Sequence, residues 1–174
     1  MNGTGIKVKK LVFSALMAAL VYAATMMIQI PSPMNGYVNL GDCFVLLSGW
    51  LLGPWYGAAA AGIGSMLTDL LSGYAHYAPG TLLIKGLDAM AAALIFRALR
   101  ERRSAPLVLA QTVSGVAAEI IMVAGYFGYA SLWLGKGLAA AASIPGNVVQ
   151  GVFGLVAAAV VYAILDRSHV LARA

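Results

Sequence analysis

Apolar stretches recur along the chain, separated by short segments rich in proline, glycine or basic residues. The first, residues 11–30, is long enough to cross a bilayer as a helix of about 20 residues. It follows Lys7, Lys9 and Lys10, and Pro31 and Pro33 are expected to stop it. A cleaved signal peptide also begins with basic residues, but this apolar run is longer than a usual signal core. Residues 44–52 are apolar but short and end at Gly53-Pro54; with Asp42 they read as a short, tilted span joined tightly to the next, 55–71. Further helices are expected over 81–99, 106–134 (including a loop) and 144–165. The pattern predicts an all-α membrane protein of six spans.

Composition agrees. The 174 residues are 61% hydrophobic and 10% charged, against roughly 25% charged in an ordinary soluble domain. A mean hydropathy of +0.87 points the same way. A soluble enzyme, a disordered chain and a nucleic-acid-binding module are excluded together. The single cysteine, Cys43, rules out an internal disulfide framework or a multi-cysteine metal site.

Basic residues set the orientation, because cytoplasmic loops collect Lys and Arg. Lys7, Lys9 and Lys10 precede the first span, Arg97, Arg100, Arg102 and Arg103 end the fourth, and Arg167 and Arg173 follow the sixth. Six spans with both termini inside place all of these on the cytoplasmic face; five would split them. The domain organisation is then a single membrane domain over 1–174. It has a basic cytoplasmic N-terminus (1–10), outer loops at 31–43 and 72–80, and a basic cytoplasmic loop at 100–105.

Charges within a span cost roughly 2.5–3.5 kcal/mol each on insertion scales and mark function by default. At 1.5 Å per residue, Lys85 lies roughly 6 Å and Asp88 roughly 10 Å below the outer face, as neighbours three apart on one helix. Glu119 falls roughly 20 Å above the inner face. Asp69 sits near the outer end of the third span, and Asn147 and Gln150 sit in the first turns of the sixth. Their convergence suggests a pocket opening outward. The competing reading is a structural network, with Lys85 paired to Asp88 or Asp69.

Aromatic residues crowd the same side: Tyr74, His76 and Tyr77 between spans three and four, and Tyr126, Phe127, Tyr129 and Trp133 after span five. Flat rings with polar edges suit stacking on a heterocycle. Tyr129 and Trp133 could equally be interfacial anchors, and His76 could be solvated. In the first span Ala15, Ala19 and Ala23 form a face of small residues at spacing four, which allows close helix approach within the chain or to a partner. There is no P-loop, no H-E-x-x-H, no G-x-S-x-G and no metal-ligand spacing. An importer of this kind would need an energising partner.

Asn39-Leu40-Gly41-Asp42, Leu52-Gly53-Pro54 with Gly57, and Gly64-Ser65 with Asp69 come first along the chain. Gly73-Tyr74, Ala78-Pro79-Gly80-Thr81 and Ile84-Lys85-Gly86 follow. Together they resemble the substrate-binding S components of energy-coupling factor (ECF) vitamin importers, closest to the riboflavin-type group with its hydroxymethylpyrimidine- and pyridoxine-like members. The resemblance implies a six-helix protein of the prokaryotic plasma membrane that binds a vitamin or precursor at its outer side. It also implies a membrane-embedded T component and two ABC-type ATPases as partners; ATP is used by those ATPases, and the chain itself needs no cofactor. By this likeness Ala15, Ala19 and Ala23 would contact the T component. Asn39, Asp42, Tyr74, His76, Lys85, Asp88, Glu119 and Asn147 would belong to the substrate site, joined from the polar and aromatic pattern by Tyr77, Tyr126 and Gln150. Asp42 and Asp69 could instead tie the outer loop to the helix ends.

The leading expectation is thus a binding subunit for a polar aromatic heterocycle such as hydroxymethylpyrimidine, a B6 vitamer or riboflavin, with no catalytic or metal-ligating residue. The alternative is a small intramembrane enzyme acting on a lipid-linked substrate, with Asp69, Asp88 and Glu119 as acid–base groups. A pure scaffold would leave the buried charges an unnecessary cost.

Overall fold

The computed structural model describes residues 3–32, 36–102 and 104–168. Pro33, Arg103 and Arg173 lie outside the described residues, as do the side chains of Lys7 and Arg102. The chain is mostly helical, about 85%. Its elements are α1 (Gly3–Met27), β1 (Gln29–Ser32), β2 (Gly36–Asn39), α2 (Asp42–Leu52), α3 (Pro54–Leu71), α4 (Ala78–Arg97), α5 (Leu107–Gly128) and α6 (Ile144–Arg167). A π-helical turn extends α4 over Ala98–Arg102 and another extends α5 over Tyr129–Trp133, while a 3₁₀ turn, Gly137–Ser143, leads into α6.

The first helix ends at Met27, short of the expected residue 30. Pro31 disfavours helical geometry at the residue before it, so the chain turns extended early. Residues 29–32 then pair antiparallel with 36–39, Gln29 opposite Asn39 and Pro31 opposite Tyr37. A two-stranded ribbon is all edge, which is where a strand tolerates proline. The expected outer loop therefore contains a hairpin. Likewise α4 begins at Ala78, with Pro79 in its first turn, so three residues assigned to the second outer loop are helical.

Helix α2 is the centre of the molecule. It packs against α1, α3, α4 and α6, and eight of its 11 residues are buried. At about 16 Å it covers roughly half of a 30 Å hydrocarbon core. A helix apolar on all sides belongs inside a protein, and α2 is a central post. Gly53, at φ +84°, closes it and lets Pro54 open α3 at once. The surrounding helices approach closely through small residues: a Cβ at Gly49 would strike the Ala89 carbonyl of α4. At the far end of α2, Trp50 donates from Nε1 to Ser114 Oγ at 3.0 Å. Its ring sits between Phe96 and Tyr162, at 5.7 and 5.9 Å.

Polarity runs opposite to that of a soluble globule. The exposed large side chains are apolar along α1 (Leu11, Val12, Leu16), α5 (Val108, Val116, Ile120) and α6 (Val152, Phe153, Val160), while Asp42, Asp69, Lys85, Asp88 and Glu119 are buried. That surface suits lipid. Among the described residues three helical stretches, Val8–Met27, Leu107–Trp133 and Gly137–Arg167, are long and apolar enough to cross a membrane by length and composition alone. The charged α3 and α4 and the short α2 are not among them; their polar groups are covered by neighbouring helices. The chain is a membrane-embedded protein.

Candidate functional site

The N-terminal end of α2 carries Asp42, fully buried. Its Oδ1 pairs with the Lys85 ammonium from α4, and its Oδ2 accepts from Gln150 Nε2 of α6 at 2.8 Å. Gln150 Oε1 in turn accepts from both the backbone N–H and the Nδ2 of Asn39, at 2.8 and 3.2 Å. Asn39 Oδ1 closes the turn by accepting from Gly41 N–H at 2.8 Å. Three helices and the hairpin are thus tied through one buried carboxylate. Asp88, one turn below Lys85, stands 3.8 Å from its ammonium, and neither of its oxygens has a hydrogen-bond partner among the described residues. The expected Lys85–Asp88 pairing is secondary. The dominant partner is Asp42, which takes the lysine's hydrogen bond, while Asp88 stands 3.8 Å away without one.

Above this network lies a cleft of about 50 Å³ between the hairpin, α3, α4, α5 and α6. Asn39, Tyr77, Lys85, Tyr126, Asn147 and Gln150 line it, together with Asp69 and Tyr37. Tyr37 donates its phenolic hydrogen to Asp69 Oδ1 at 2.6 Å. Burial, then the adjacent Asp69 carboxylate, pushes the Tyr37 phenol above its ordinary value, so it stays a donor. Asp69 Oδ2 and Ser32 Oγ are buried without a partner among the described residues. Buried polar groups are ordinarily hydrogen-bonded; two orphans lining one cleft mark places for a ligand's polar atoms.

A run of rings covers the cleft. Tyr37 and Tyr74 lie 4.8 Å apart, His76 and Tyr77 4.8 Å, and Tyr77 and Tyr126 6.4 Å. Lys136, in the segment before α6, donates to the Tyr77 hydroxyl at 2.9 Å and stands 4.9 Å from its ring centroid. Tyr129 donates to the His76 carbonyl at 2.9 Å. Tyr126 donates to Thr81 Oγ1 at 3.1 Å, and its ring lies 5.7 Å from the Lys85 ammonium.

The remaining expected residues lie elsewhere. Asp42 and Asp88 are beneath the cleft, and Tyr74 and His76 belong to the aromatic cover without lining it. Glu119 faces the α5–α6 seam against Gly151. It borders a separate lateral groove of about 460 Å³ with Val116, Ile120, Val148 and Val152. The Glu119 carboxylate is buried with neither oxygen hydrogen-bonded among the described residues, and it does not line the cleft. Tyr37, Ser32, Thr25, Ser65, Thr81 and Ser143 also line the cleft and escaped sequence reasoning. Tyr37 is two residues before Asn39 and shares its strand face; a strand assignment would have exposed it. Short hydroxyls inside helices give no such signal. Among the described residues no cluster of His, Cys, Asp and Glu is arranged to hold a metal ion.

A helical bundle in lipid with a polar, ring-covered cleft defines a small-molecule-binding membrane protein. The family model for the ECF-type riboflavin transporter S component matches residues 5–167, and the chain belongs to that family. It is a substrate-binding subunit for the uptake of a vitamin or vitamin precursor, a transport component and not an enzyme, so the lipid-linked enzyme reading falls. An uncharacterized protein in gap 3'region of Pyrococcus woesei is 35% identical over 137 residues, covering 78% of this chain and 87% of that one. The thiamine precursor transporter HmpT of Lactococcus lactis subsp. cremoris (strain MG1363) is 26% identical over 166 residues, 94% of this chain and 92% of its own. A solved structure described as the S component of a bacterial ECF transporter superposes with a TM-score of 0.67 at 19% identity, covering 92% of this chain and 97% of that one. That likeness concerns the fold.

Proposed function

We propose that the cleft above Asp42 captures a single-ring polar heterocycle, a pyrimidine precursor of the hydroxymethylpyrimidine type, at the outer face of a prokaryotic plasma membrane. The observation that carries this reading is the pairing of unsatisfied polar groups, Asp69 Oδ2 and Ser32 Oγ, with aromatic faces around so small a cleft. Asn147, whose side chain lines the cleft and has no hydrogen bond among the described residues, adds an amide group with both donors and an acceptor. About 50 Å³ is little room beside the roughly 300–1,000 Å³ of drug-sized sites. A single ring enters with modest movement of Tyr77 and the hairpin; the three fused rings of riboflavin would need much more. The Lactococcus relative, named a thiamine precursor transporter, favours the same class; a B6 vitamer is the second choice on size.

In this reading six helices traverse the bilayer, α2 as a short buried one, with both termini and Arg97, Arg100 and Arg167 on the cytoplasmic side. Asn39, Tyr77, Lys85, Tyr126, Asn147 and Gln150 touch the ligand, Tyr74 and His76 complete the cover, and Asp42 and Asp88 hold Lys85 in place. A T component docks on α1, where Ala15, Ala19 and Ala23 are exposed on the surface, and two ABC-type ATPases supply the energy, so this chain uses no cofactor. The chain purified alone in detergent, denatured and extracted for mass spectrometry, should release a stoichiometric pyrimidine-type heterocycle or bind one when it is supplied. Recovery of a lipid-linked molecule, or binding of no vitamin or precursor in a thermal-shift screen, would overturn the proposal.

A further inference from the structure

Among the described residues Asp69 is the one carboxylate that lines the cleft, and its two oxygens are in different situations. Oδ1 is held by the Tyr37 hydroxyl at 2.6 Å. Oδ2 is buried with no partner among the described residues, and the residue as a whole is 3% exposed. A carboxylate accepts hydrogen bonds and donates none, so only a donor can satisfy Oδ2. The nearby cation, Lys85, is committed to Asp42. Thr81 lies beside the carboxylate with its oxygen accepting from Tyr126, and no hydrogen bond from it to Oδ2 forms among the described residues. Tyr37 cannot serve both oxygens, and its ring is fixed against Tyr74 at 4.8 Å.

We infer that Asp69 is the specificity-determining residue of the site, selecting ligands that present an N–H donor, such as the ring amine of an aminopyrimidine, to its free oxygen while Tyr37 holds the carboxylate in place. This rests on the proposed heterocycle-binding function and names the feature of the heterocycle that is read. Asn147, and any N–H that Lys85 can spare from Asp42, would donate to the ring nitrogens and hydroxyls of many vitamins; Asp69 adds a demand they cannot make. A ligand without the donor leaves a buried carboxylate oxygen unpaired, and such mismatches are rejected more strongly than lost apolar contacts. Tyr37 is then a positioning residue: it comes from the hairpin, so the outer segment that shields the cleft also orients its reading group.

Isothermal titration of the full chain in detergent tests this with two probes, hydroxymethylpyrimidine carrying its ring amine and the same molecule with hydrogen in place of the amine. The wild-type chain should prefer the first by about 10- to 100-fold, the range of a hydrogen bond to a charged group. Asp69→Asn should bring that ratio close to one with its melting temperature nearly unchanged. An undiminished ratio in Asp69→Asn overturns the inference. If Asp69→Asn gives no folded protein, Tyr37→Phe decides: a ratio cut several-fold supports the role of the oriented carboxylate and an unchanged ratio overturns it. Binding of a B6 vitamer or riboflavin but of neither pyrimidine sinks this inference and leaves the heterocycle-binding function standing, whereas binding of no heterocycle at all removes both.

Discussion

Asp42, in the first turn of α2, pairs with Lys85, two turns into α4, and the two are 43 residues apart in sequence. Both side chains are almost wholly buried, and the second carboxylate oxygen is tied to Gln150 of α6. One ion pair therefore joins the central helix to the two helices that form most of the cleft floor. Removing one partner of a buried pair leaves an uncompensated charge, at about 3–5 kcal/mol. Lys85→Met and Asp42→Asn should each lower the melting temperature sharply in detergent, and the double variant should recover much of the loss. Losses that simply add in the double variant would show that the two residues act separately.

Asn147 and Gln150 lie three apart on α6 and line the same cleft, yet only Gln150 is bonded into the fold. Asn147→Ala should weaken heterocycle binding by roughly tenfold, the worth of one good hydrogen bond, with the melting temperature unchanged. Gln150→Ala should lose both binding and stability, because Asn39 and Asp42 are released together. Paired titration and melting curves separate the two behaviours.

The approach of α2 to α4 depends on Gly49, where a Cβ would meet the Ala89 carbonyl. Backbone cannot step aside as a flexible side chain can. Gly49→Ala should destabilise by about 1–3 kcal/mol through overpacking, and the shift in α2 should be felt at Asp42 as weaker ligand binding. A melting temperature equal to wild type would show that the interface has slack.

Ala15, Ala19 and Ala23 are exposed on α1 and make no polar contact. Ala19→Leu should leave folding and ligand affinity intact while reducing co-purification with the T component and ATPases, and reducing uptake in cells. Unaltered uptake would move the docking face elsewhere on the bundle.

Cysteine labelling checks orientation, since Cys43 is buried and gives little background. Ala75→Cys, between α3 and α4, should react with an impermeant reagent added outside, and Glu101→Cys only after the cells are opened. The reverse pattern would invert the topology.

Length and hydropathy along the chain placed the helices within a few residues, because burial of a long apolar run in lipid is a local property. The exception is the start of α1, which begins at Gly3, eight residues before the apolar run, within the stretch expected as a basic N-terminal segment. The same local signals picked out the polar residues at one depth, Lys85, Asn147 and Gln150 among them, since depth follows from rise per residue. Which of these meet was decided elsewhere. Rotation of each helix about its axis and the close crossings at Gly49 and Gly154 bring Lys85 to Asp42, and they set Glu119 in the α5–α6 seam against Gly151. The hairpin was hidden because a four-residue strand carries almost no periodic signal; it exists through pairing and brings Tyr37 to Asp69. Pattern along the chain thus determined a polar-cored membrane bundle with aromatic segments at one end of its helices. Only tertiary packing, which sets helix rotation and strand register at once, decided which carboxylate holds the lysine and which was left open to a ligand.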